Sequence, residues 1–87
     1  MINQTDHPVA WALLLYEIDD LKEHLDTLLK QMAADGQIDD EDYKVCVSHA
    51  YAHLNRIWNS RNDGSGDKAR GRITDFTKFP TDIEPVG

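Results

Sequence analysis

One spacing pattern constrains this chain more than any other. Trp11, Leu14, Ile18, Leu21, Leu25, Leu28 and Met32 follow one another at alternating steps of three and four, and after an acidic turn Tyr43, Val47, Ala50, Leu54 and Ile57 repeat the rhythm. Such steps line up side chains as one stripe along a helix, the a and d seam of a coiled coil. Two stripes joined by a short loop specify an antiparallel helical hairpin. The register is internally consistent. Leu28 opposes Val47, Leu25 opposes Ala50, Leu21 opposes Leu54 and Ile18 opposes Ile57, with Met32 against Tyr43 at the loop end. The predicted fold is therefore all-α: a hairpin over residues 1–62, then a linker and an extended tail over 63–87 packed on the helices.

Local signals set the ends of the helices. Asp6-His7-Pro8 predicts a start, with a side-chain acceptor followed by proline in the first turn. The first helix should run from Pro8 to about Ala34, and Gly36 suits the left-handed residue that ends it. Asp39 is the expected cap of the second helix. Asp42 then falls at N3, and Ile38 and Tyr43 form a hydrophobic staple. This helix is expected from Asp39 or Asp40 to about Arg61, before the flexible composition of Asp63-Gly64-Ser65-Gly66.

The flanks of the seam differ. On the e side lie Leu15, Lys22 and Leu29 with Lys44, Tyr51 and Trp58. That side is too apolar for open solvent on a stable monomer. A hairpin of 87 residues also has a small core, and cores of that size seldom supply more than about 3–5 kcal/mol. Leu15, Leu29, Tyr51 and Trp58 are thus the expected interface of a homodimer, a four-helix bundle with two-fold symmetry. On the g side lie Glu17, His24 and Gln31 with Cys46, His53 and Ser60, and Asp20 and His49 stand one turn away at c positions.

That second flank collects every metal-ligating side chain of the hairpin's middle. His49 and His53 are four residues apart, Cys46 precedes His49 by three, and Asp20 and His24 face them across the seam. Imidazole, thiolate and carboxylate together suit zinc or a similar divalent metal. The competing reading makes the histidines hydrogen-bonded flanking residues and Cys46 a small core residue.

Charge narrows the partners. The net charge is −7, and residues 6–62 hold eleven acids against five lysines and arginines. An acidic surface opposes binding to nucleic acid or an anionic membrane and permits a basic protein partner. A single cysteine rules out an intrachain disulfide, no stretch approaches the ~20 apolar residues of a membrane span, and the cytoplasm is the expected compartment. The end of the second helix is unusually rich in Arg, Asn and aromatics. Arg56, Trp58, Asn59 and Arg61 are of types that dominate binding surfaces and form the candidate partner site. The competing role for its polar members is to hold the returning tail. In that tail Lys68, Arg70 and Arg72 make a small basic cluster. Ile73, Phe76, Phe79, Ile83 and Val86 recur about every third residue, with Pro80 and Pro85 among them opposing a long helix.

Enzyme signatures are sparse. Glu17-x-x-Asp20 with Glu23 resembles one half of the paired acidic motifs of all-α nucleotide pyrophosphohydrolases, but the second pair is missing, because Asp39 and Asp42 serve the helix cap. Helical chorismate mutases need helix-borne arginines, and the first helix has none. Neither a nucleophile elbow nor a phosphate loop occurs. The expected function is non-enzymatic: a small acidic homodimer that binds another protein. The alternatives are a metal-binding bundle, possible seat of catalysis, and an acidic inhibitor of a basic target.

Overall fold

A computed structural model describes residues 2–62 and 76–87. Helix α1 spans Pro8–Asp35 and helix α2 spans Asp40–Asn59, and the two pack against each other. Among the described residues there is no strand, and no helix is long and apolar enough to cross a membrane. With 28 residues, α1 is about 42 Å long. The basic cluster at Lys68, Arg70 and Arg72 and the apolar Ile73 lie outside the described residues.

The turn between the helices follows its sequence closely. Gly36 takes the left-handed conformation, φ 66°, and its N–H reaches the Met32 carbonyl at 2.9 Å. Asp39 is extended and accepts a bond from the Glu41 N–H at 3.1 Å, while Asp40, Glu41 and Asp42 crowd the positive end of α2. The other two ends differ from expectation. Pro8 opens α1, but the residue before it, His7, makes no side-chain cap. Asp6 turns back instead, and Asn3 bonds both its carboxylate and its N–H, at 2.9 and 2.8 Å. Helix α2 stops at Asn59, short of Arg61. The Ser60 hydroxyl donates to the Arg56 carbonyl at 2.6 Å, and the Arg61 guanidinium takes the Trp58 carbonyl at 2.8 Å. Side chains thereby replace the next helical turn.

The helices are rolled about their axes relative to a symmetric seam. On α1 the buried residues are Ala10, Leu14 and Leu21, the d and g rows. On α2 the most buried side chain is His53, a g residue, at 3% exposure. The a row is the more open one: Ile18, Leu25 and Leu54 are each about half exposed, while Trp11 and Val47 are partly buried. The contact line has moved from between a and d to between d and g. Its reason is chemical. The ion pair between Glu17 and Arg56 spans the helices on the g side, the row that also buries Ala10.

The last twelve residues return along α2, held by polar bonds rather than by an apolar groove. Asn55 donates to the Thr77 carbonyl at 2.7 Å, and Asn59 donates to the carbonyls of Phe76 and Lys78, each at 2.8 Å. Asn55 is buried, whereas Phe79, Ile83 and Val86 stay exposed. Phe79 meets Tyr51 edge to face, ring centres 5.0 Å apart.

Candidate functional site

Helical periodicity builds the site. Glu17 and His24 are seven residues apart, two turns along one side of α1. His49, His53 and Arg56 follow at four and three, one side of α2. The roll brings these rows face to face. The ring centres of His24 and His49 are 4.4 Å apart, those of His49 and His53 4.6 Å, and those of His24 and His53 5.3 Å. One nitrogen from each ring lies within 4.8 Å of the others.

A carboxylate and a guanidinium hold the buried ring. Glu17 Oε1 sits 2.5 Å from His53 Nδ1 and accepts from Arg56 Nε at 2.9 Å and Nη2 at 2.8 Å. Burial pushes the Glu17 carboxyl up, but hydrogen bonds and charge from Arg56 and His53 outweigh it and hold the group below the usual carboxylate range. An ionised carboxylate only accepts, so the His53 proton must reside on Nδ1. Arg56 Nη2 also lies 3.1 Å from His53 Nδ1. Two donors meet there, and both are directed at the carboxylate. In the neutral ring the lone pair of His53 is then on Nε2, which faces His49 Nε2 at 3.1 Å. Burial pushes the His49 imidazole below its ordinary range, and His53, His24 and Arg56 push it further, with Asp20 opposing. His49 is thereby held toward its neutral form, the form that ligates metals.

Of the five residues read as metal ligands, the structure brings His24, His49 and His53 into the close set. Cys46 is a free, partly buried thiol that borders a recess of ≈340 Å³ together with His24, Leu28, Val45 and His49. Asp20 acts on His49 through its charge. Sequence reasoning assigned Arg56 to the partner surface and missed its place beside His53. The signal was present, because Arg56 shares the c row with His49.

The other candidate residues are engaged within the chain. Trp58 donates its indole N–H to Asp82 at 2.9 Å, Arg61 stacks 3.7 Å over the Trp58 ring and reaches Asp82 at 3.4 Å, and Asn59 holds the tail. The Trp58 hydrogen bond holds the Asp82 carboxyl below the usual range; desolvation opposes it and Arg61 adds to it. Leu15, Leu29 and Tyr51 stay exposed on the opposite flank from the histidines, and Leu15 and Trp58 line one recess, as the register requires. No protein-family model, curated protein or solved structure matches this chain.

Proposed function

We propose that the chain is an assembly module: two hairpins pair through the a and e rows into a four-helix bundle, and the protein acts by protein–protein contact. The observation that carries this reading is the open apolar flank. Leu15, Ile18, Leu25, Leu29, Tyr51 and Leu54 are all about half exposed or more on one side of a hairpin that buries only three apolar side chains among its described residues. Isolated exposed leucines are ordinary, but an aligned set is a docking face.

The length of the open row supports a second copy as the occupant: from Leu15 to Leu29 it runs about 21 Å along α1, and a two-fold pairing covers the same row on both chains. Charge agrees. On a chain of net charge −7 the e row carries only Lys22 and Lys44, with Asp19 and Asp26 in the adjacent b row of α1. A two-fold interface needs one surface that complements itself, and this one bears both signs at its rim. A recess of ≈280 Å³ between Trp11, Leu15, Ile18, Ile57 and Trp58 gives a partner side chain somewhere to seat.

Sedimentation of the tag-free chain tests the reading. The expected mass at micromolar concentration is twice 9.9 kDa. Leu29→Glu, at a position 67% exposed, should return the mass to that of one chain with its helical circular dichroism intact. A wild-type chain that remains monomeric at high micromolar concentration would end the proposal.

A further inference from the structure

The histidine cluster supports a second inference, independent of how hairpins pair. We propose that His24, His49 and His53 form a three-histidine site for a divalent transition-metal ion, zinc by its ligand chemistry, with the fourth position open toward the recess beside Cys46. Three observations converge on it.

The first is convergence itself. One ligand atom from each of three imidazoles, carried by two different helices, falls within 4.8 Å of the others. A tetrahedral zinc ion with bonds of about 2.0–2.1 Å holds its nitrogen ligands about 3.3–3.4 Å apart. His49 and His53 already stand at 3.1 Å. His24 and His49 are exposed, so their rings can close the remaining distance by side-chain rotation, while His53 is the buried anchor.

The second is orientation. The Glu17 carboxylate accepts a hydrogen bond from His53 Nδ1–H and leaves the Nε2 lone pair of the neutral ring aimed into the cluster. A carboxylate behind a histidine is how proteins set the tautomer and raise the basicity of a metal ligand. Arg56 binds the same carboxylate oxygen, which locks it in place. Arg56 also cancels one negative charge, and Asp20, whose charge reaches His49, restores a net negative surrounding for a cation.

The third is the chemistry of the donor set. The His24 ring stands edge-on to His49, with centres 4.4 Å apart, and tilted to His53 at 5.3 Å, so all three imidazoles border one space. A cation would satisfy three lone pairs at once. The donor set also discriminates: neutral imidazoles suit zinc, copper and nickel and are poor ligands for magnesium or calcium. Three protein ligands with one open position is the arrangement of catalytic zinc sites, whereas closed structural sites use four. The recess beside Leu28, Val45 and Cys46 supplies that open side with an apolar wall.

Cobalt(II) titration of chain purified without a polyhistidine tag decides the matter. The expected result is saturation at one ion per chain with the intense visible absorption of a tetrahedral site, reversed by added zinc. Glu17→Gln should weaken binding by about 10–100-fold, and His24→Gln or His49→Gln by more. Both of these histidines are exposed, so their variants should keep the wild-type helical signal, which circular dichroism verifies. Absence of saturable binding by the wild-type chain, or a His24→Gln variant that binds as tightly as wild type, overturns the proposal. A thiolate-to-cobalt charge-transfer band would overturn the open fourth position.

Discussion

The two flanks of the hairpin seam solve opposite problems. The g flank is polar and closed within the chain. Glu17, His53 and Arg56 satisfy one another across the helices, and no buried side-chain nitrogen or oxygen among the described residues lacks a partner. The a and e flank is apolar and open, with Leu25, Leu29 and Leu54 facing outward. A symmetric a/d seam would have left both flanks half satisfied. The contrast teaches that a partly buried ion pair can decide how helices roll, because leaving such groups unpaired costs more than leaving leucines wet.

The sharpest way to break this comparison is to take one leucine from the core and one from the open flank. Leu21 is 9% exposed, and Leu21→Ala should destabilise the fold by about 2–5 kcal/mol at any protein concentration. Leu29→Ala should cost little in a single hairpin, and its effect should grow with protein concentration because only the paired state uses it. Thermal melts across a concentration series separate the two. Equal effects at all concentrations would mean that the open flank has no partner in solution.

Much of this contrast was legible in the sequence, and the missing part has a definite cause. Heptad spacing gave the hairpin, Gly36 and Asp39 gave its turn, and the g row gave the meeting of His24 with His53. These are local or periodic properties, carried by every turn of a helix. The roll was not legible, since the same a/d stripe is compatible with contact lines displaced to either side. It depends on a pairwise preference, Glu17 for Arg56, between residues 39 positions apart. The tail contacts were legible in part: holding the returning tail was the competing role read for Asn59 and Arg61, which do bond it, whereas Asn55 was missed because a bond to a main-chain carbonyl leaves no mark in residue type.

Removing the ion pair probes the closed flank. Arg56→Ala strips Glu17 of both guanidinium bonds and should cost about 1–3 kcal/mol in chemical denaturation, with the sedimentation mass unchanged. Acid reaches the same contacts. The folded-state Glu17 titrates below its ordinary 4.5, so its contribution is present above that pH and is lost as the pH falls through the folded value. His49 also titrates low when folded. The unfolded chain therefore takes up a proton near 6.5 that the folded chain refuses, and stability declines from about that pH downward. Chelator-treated protein should thus lose stability in two steps. His49→Gln should remove the upper one and Glu17→Gln the lower. A stability profile flat from pH 7 to 5 in the wild type would contradict the packing described for His49.

The smallest expected effect concerns the tail, which borders the open flank where Phe79 meets Tyr51. Asn59 bonds two main-chain carbonyls, of Phe76 and Lys78, from the last residue of α2. Asn59→Ala removes both, and at about 1 kcal/mol per neutral bond the loss should fall near 1–2 kcal/mol. That loss belongs to docking of the tail rather than to the hairpin, because Glu17, His53 and Arg56 are untouched. Hydrogen exchange should accordingly rise over residues 76–82 while α1 and α2 keep their protection. If helix protection falls along with the tail, then the tail is part of the hairpin's cooperative unit, and the open flank includes Phe79 and its neighbours as structural members.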